Sequence, residues 1–203
     1  PKTSFERALG ATTLPDAEEI DPERFIASSR SVAFRRAAWA QVGGYPEWLD
    51  YCEDVVFDLA LRRAGLHLAW APDAVVYFRP RSSLRSFFRQ YYLYARGDGK
   101  ANLWPRRHLI RYLTYTLGPL ATLAGFWYKR SWLGVALAAA FYLYQPYRRL
   151  SRTLAELSPA ERAQAIALVP VLRLVGDVAK LLGYPAGVRW RLNRTRVSRD
   201  RTF

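Results

Sequence analysis

"EDVVFDLALRRAGLHLAWAPDAVVYF", Glu53 to Phe78, is the stretch on which the expected fold turns. Its first half reads as a helix from Glu53 to Ala64, with Val55, Val56, Leu59 and Ala60 at the spacing of a buried stripe. Gly65 follows the last turn, where glycine ends a helix without steric cost. The second half changes period. "LHLAWAP" and "AVVYF" are short runs rich in apolar, β-branched and aromatic residues on either side of a Pro72-Asp73 turn, and they predict two strands. Upstream, "RFIASSRSVAFRR" adds a short buried strand near Ser31–Phe34, and "RRAAWAQV" a helix capped by Gly43-Gly44. Strands alternating with helices predict an α/β fold.

The same stretch opens a concentration of acid. Glu47, Asp50, Glu53, Asp54 and Asp58 lie within a dozen residues of a chain whose net charge is +14. Asp50, Asp54 and Asp58 recur every four residues, so in a helix they share a face. Two readings follow. The carboxylates cap the helix and pair at its surface, Asp58 with Arg62. Alternatively, one of them is placed to take a proton.

Outward from here the charge divides unevenly. Residues 1–98 hold 13 basic and 13 acidic residues, whereas residues 99–203 hold 18 basic and only four acidic ones. The basic half also carries the long apolar runs: "YLTYTLGPLATLAGFWY" (112–128) and "WLGVALAAAFYLYQPY" (132–147) have no charge. Each is ~25 Å long as a helix, a little under a ~30 Å hydrocarbon core, with Tyr and Trp at the ends. Joined by "KRS", they predict a tight transmembrane hairpin, with lipid rather than nucleic acid as the partner of the basic half. "SLRSFFRQYYLYARGDG" predicts an amphipathic helix with aromatic and basic faces. "AQAIALVPVLRLVGDVAKLLGY" is a further apolar helix whose Arg173, Asp177 and Lys180 point to an interfacial or bundle-facing position. The Arg-rich end, "VRWRLNRTRVSRDRTF", is expected to be headgroup-facing or disordered.

Several chemistries find no residues here. One Cys and two His make no cluster with metal-ligand spacing. "GDGK" at 97–100 is too short for a phosphate loop, and no nucleophile elbow is present. The chain begins at Pro1 and contains no Met, which predicts a piece of a longer protein.

Taken together, "SSRSVAFRRAAWAQVGGYPEWLDYCEDVVFDLALRRAGLHLAWAPDAVVYFRPRSSL" (28–84) resembles the acceptor-side half of the family-2 inverting glycosyltransferases. That resemblance implies a GT-A-like, Rossmann-like half-domain over residues 1–104, with its nucleotide-binding half upstream. Membrane-associated helices and a basic tail follow over residues 105–203. Half of such a sheet lies outside the chain, which would leave Val32, Phe34 and Val75–Tyr77 on an open edge.

By the same resemblance Asp54 is the base and Glu53 orients it or the sugar. Ser28, Ser29 and Arg30 line the acceptor or donor-sugar side, and Trp48 stacks on a sugar ring. Many relatives carry a metal-binding His where this chain reads Tyr77-Phe78-Arg79, so Arg79 or Arg81 would neutralise the diphosphate directly. Gln90 keeps the first position of the Gln-x-x-Arg-Trp motif of processive members, but Leu93 and Tyr94 replace the other two. This departs from a polymer synthase.

The implied donor is a nucleotide sugar, and the acceptor is lipid-linked or a surface glycan. The implied divalent cation, Mg or Mn, has its ligands outside this chain, and the implied location is the cytoplasmic face of a bacterial-type inner membrane. The rival reading is a non-catalytic membrane-anchored interaction module whose acidic helix is structural.

Overall fold

A computed structural model describes the backbone of residues 1–200 and the side chains of residues 1–194. Seven α-helices are described: α1 (Ser4–Thr13), α2 (Arg36–Gln41), α3 (Glu53–Arg63), α4 (Leu84–Ala101), α5 (Pro105–Ala124), α6 (Arg130–Ser151) and α7 (Pro159–Asp200). Two single 3₁₀ turns lie at Ala17–Glu19 and Leu154–Glu156. No strand is present among the described residues, so the α/β, GT-A-like expectation is overturned.

The reason is visible at residues 68–80, which belong to no helix or strand. A strand leaves every second pair of its amide and carbonyl groups to a neighbouring strand, and none lies alongside among the described residues. Val75, Val76 and Tyr77 are accordingly 66%, 56% and 96% exposed. Phe34 is exposed as well and Val32 half-buried, but there is no sheet edge for them to lie on.

The expectation of transmembrane helices is also overturned. α5 and α6 do form a hairpin, but no helix among the described residues is long and apolar enough to cross a membrane. The uncharged run of α5 is diluted by Thr114, Thr116, Thr122, Gly118 and Pro119, and its first turns carry Arg106, Arg107, His108 and Arg111. α6 ends on Gln145, Arg148 and Arg149. The Arg-rich end is helical to Asp200, and 201–203 lie outside the described residues.

The chain divides into two compact units. The first comprises Pro1–Leu14, Arg79–Tyr92 and Trp104–Leu182; the second comprises Pro15–Phe78, Leu93–Leu103 and Gly183–Phe203. In the first unit, Thr3 caps α1 by accepting the Glu6 amide at 3.2 Å. The Glu6 carboxylate reaches back to the Lys2 amide at 2.6 Å, close to a capping box. Leu9, Phe87, Leu150, Val169 and Leu172 form the core around which α1, α4, α6 and α7 pack.

In the second unit Phe57 is buried against Phe34 and Tyr45, with ring centroids 5.0 and 4.5 Å away. Here α4 and α7 approach closely because both offer glycine. A Cβ on Gly99 would lie 2.3 Å from the Tyr184 carbonyl oxygen, and one on Gly187 2.1 Å from that of Arg96.

Candidate functional site

α3 owes its start to a residue with no helical conformation of its own. Cys52 precedes Glu53 at φ +67°, and its thiol donates to the Tyr94 carbonyl at 3.3 Å. Burial, and then the Asp98 carboxylate, raise the Cys52 thiol pKa far above its ordinary value, so it is held as an inert thiol. Glu53 and Asp54 form the first turn, both half-buried.

Asp50 lies before α3 and does not share its face, but Asp54 and Asp58, with Arg62 one turn further on, act along this helix. Arg62 donates to the Phe25 carbonyl, the Ala27 amide donates to Asp58 Oδ2 at 2.6 Å, and the Ser29 amide donates to Asp54 Oδ2 at 3.3 Å. Side chains at 54, 58 and 62 thus hold the backbone at 29, 27 and 25. Four residues of helix advance ~6.0 Å, so successive turns of one helix face meet alternate residues of the 25–29 segment. The helix face serves this segment as a neighbouring strand would.

Asp58 is therefore not the solvent-facing partner of Arg62 that the sequence suggests. It is 1% exposed, and desolvation, against the Ala27 amide that favours the ionised form, pushes its pKa up to about 6. The cause is burial of a charge. Asp54 sits one turn nearer the helix start. Besides the Ser29 amide it accepts the Val55 amide on Oδ1 at 2.8 Å, and it keeps part of its surface open.

At Asp54 the second unit brings in Ser29 through its amide, with Ser28 and Arg30 on either side of it in the chain and Glu53 before Asp54. Ser28, Ser29 and Arg30 are exposed, and the Arg30 guanidinium rests on the Phe78 ring at 4.4 Å. Trp48 is exposed and stacks by one face on Trp190, with centroids 5.8 Å apart and planes 10° from parallel. Asp50 turns to α4, where Arg96 and Lys100 donate to it, Lys100 at 2.6 Å.

The remaining predicted residues belong to the first unit and are engaged there. Arg79 forms a fork on Glu6 Oε1, with Nε at 3.0 Å and Nη2 at 2.8 Å. Glu6 is fully covered, and the hydrogen bond from Arg79 holds its carboxyl below the usual range. Arg81 Nε donates to Gln90 Oε1 at 3.1 Å. A diphosphate role for Arg79 would have to compete with Glu6, a residue that sequence reasoning missed although Thr3-x-x-Glu6 spells a capping box.

Sequence reasoning likewise did not see the polar cluster of the first unit. Asp177, 7% exposed, accepts from Arg111 Nε at 2.9 Å, from Tyr142, and from Tyr115 at 3.3 Å, with Lys180 Nζ 3.6 Å away. The α7 members were visible as charges in an apolar run, but Arg111, Tyr115 and Tyr142 come from two other helices at wide sequence separation, which leaves no local pattern to join them.

Among the described residues no three of His, Cys, Asp and Glu converge in a way that could hold a metal ion. The divalent cation implied by the resemblance is expected to take its ligands from outside this chain. No family model matches the chain, and no curated protein or solved structure is significantly similar to it.

Proposed function

We propose that the chain is the acceptor-side portion of a membrane-associated inverting glycosyltransferase, which moves a sugar from a nucleotide-sugar donor to a lipid-linked or surface-glycan acceptor. The observation that carries this reading is the Ser29 amide on the Asp54 carboxylate, which joins the Ser28–Arg30 segment to the acidic helix start. Asp54 takes the proton of the acceptor hydroxyl, and the freed oxygen bonds to the anomeric carbon. The bond from that carbon to the diphosphate oxygen breaks on the opposite face, its electron pair leaving with the diphosphate. One carboxylate suffices for a single displacement of this kind. Glu53 and the Ser28 and Ser29 hydroxyls orient the acceptor. The donor site and the ligands of a divalent cation belong to residues outside this chain.

The catalytic part works at the cytoplasmic face of a bacterial-type inner membrane. Lipid contact is supported by the α5–α6 hairpin, where Leu113, Leu117, Leu120, Leu133, Leu137 and Phe141 are all exposed beside Lys129 and Arg130. The interaction-module reading draws its support from Asp58 and Arg62, whose hydrogen bonds are structural.

The deciding experiment incubates membranes containing the complete gene product with radiolabelled nucleotide sugars and follows label into extracted lipid and glycan. Transfer that survives Asp50→Asn and is lost in Asp54→Asn supports the enzyme. No transfer from any donor tested returns the chain to the interaction-module reading.

A further inference from the structure

Two cations in the first unit share one carboxylate, and a third lies on the ring of the tyrosine bonded to it. Arg111 Nε lies 2.9 Å and Lys180 Nζ 3.6 Å from the same oxygen, Asp177 Oδ1. The other oxygen accepts from Tyr142 and Tyr115. Arg173 is held differently. Its guanidinium lies 3.9 Å above the centroid of the Tyr142 ring, and its Nε is buried with no hydrogen-bond acceptor among the described residues.

The group therefore carries two positive charges more than its carboxylate cancels. Its ionic members are largely withdrawn from solvent: the side chains of Arg111, Lys180 and Asp177 are 18%, 26% and 10% exposed. Uncompensated charge away from water is costly, and a buried N–H without an acceptor adds to the cost. Lys180 registers the crowding. Burial first, and then Arg111 and Arg173, push its pKa down, while Asp177 acts the other way. A tetrahedral oxyanion supplies what is missing: charge of the right sign and several acceptor oxygens, one of which can take the Arg173 Nε–H.

We propose that Arg111, Arg173 and Lys180, gathered by Asp177 and Tyr142, form a binding site for a phosphate group. The phosphate belongs either to a free anion or to a lipid headgroup. The proposal does not rest on a catalytic role for Asp54 and stands or falls separately from it.

The test uses the full chain in non-ionic detergent at ~150 mM salt, where diffuse surface attraction is screened beyond ~8 Å. The readout is the Arg173 Nε–H resonance, assigned by its loss in Arg173→Lys. In one arm inorganic phosphate or pyrophosphate is added. In the other, the chain is placed in nanodiscs of phosphatidylglycerol or of phosphatidylcholine. A saturable shift in the first arm identifies a free anion; a shift only with phosphatidylglycerol identifies a headgroup. In either case Arg173→Gln and Lys180→Gln should weaken binding by about tenfold or more, read as protection of the hairpin from proteolysis or as heat of binding. Absence of a saturable shift in both arms overturns the proposal without recourse to any variant. So does binding by folded Arg173→Gln and Lys180→Gln proteins within about twofold of wild type.

Discussion

The first unit is made of helices whose backbones are hydrogen-bonded within themselves, and it can leave Leu117, Leu120, Leu133, Leu137 and Phe141 outside without losing secondary structure. In the second unit long stretches belong to no regular element, and side chains stand in for the missing backbone partners: Arg62, Asp58 and Asp54 for Phe25, Ala27 and Ser29. Residues 74–78 remain irregular, with short turn bonds from the Ala74 and Val75 amides to the Ala71 and Asp73 carbonyls and with Val75 and Tyr77 bare. A helix needs packing only to choose its faces, whereas an extended segment needs a partner to exist as structure at all.

The largest expected effect tests whether Asp54 is more than another of these backbone supports. In the complete gene product, Asp54→Asn keeps the shape and the Ser29 contact but removes the basicity. Turnover should fall by ~10²–10⁴ with little change in melting temperature. Turnover within about threefold of wild type, in sugar-transfer assays, would make Asp54 a support like Asp58.

The corresponding carboxylate of the first unit should show the opposite profile. Asp177→Asn leaves Arg111 and Lys180 without their counter-charge, and denaturant unfolding should show a loss of ~3–5 kcal/mol. A loss below ~1 kcal/mol would mean that the cluster is solvated and the contrast between the units is weaker than drawn.

Asp58 gives a pH signature confined to the second unit. Its folded pKa of about 6 is raised above the usual carboxylate value near 4. The protonated form is therefore favoured by folding. Asp58 contributes stability that is full below pH ~4 and is lost as pH rises through about 6, on the order of 3 kcal/mol in all. Other carboxylates titrate too, so the quantity to plot is wild type minus Asp58→Asn. That difference should fall between pH 4 and 7, and a flat line would show Asp58 to be ordinary.

The smallest effects carry opposite signs in the two units. Gly187→Ala would drive a methyl into the backbone of α4 and should cost at least ~1–3 kcal/mol. Gly134→Ala in α6 meets nothing within 4 Å and should gain ~0.5–1 kcal/mol from helix propensity. Thermal melts followed by circular dichroism would register both. Equal signs would mean that the α4–α7 approach is looser than described.

Legibility followed the same divide. The α3 helix, its stop at Gly65 and the α5–α6 hairpin could be read directly, because period and punctuation are local. The acidic repeat was seen, but its partner was not: pairing Asp58 with Arg62 is the local solution, and burial beneath Phe25–Ser29 is a tertiary one. The strand predictions for residues 66–78 failed because β-propensity describes fitness for a half-buried pleated surface, and no such surface is offered among the described residues. Of the proposed site, Asp54 and Ser29 meet; Arg79 and Gln90 are drawn to Glu6 and Arg81 instead.

By itself the sequence determined where α3 starts and stops, where charge accumulates and which runs are apolar, but not that α7 continues through the Arg-rich end to Asp200. The features it determined follow from neighbours a few residues away. Only the tertiary structure decided which of three aspartates in one repeat is buried, which is paired to α4 and which stays open. It also decided that Arg111 and Lys180 meet on Asp177 and that Arg173 lies on the ring of Tyr142. Electrostatic cost and hydrogen-bond supply depend on what lies across space, and that is settled only when distant segments meet.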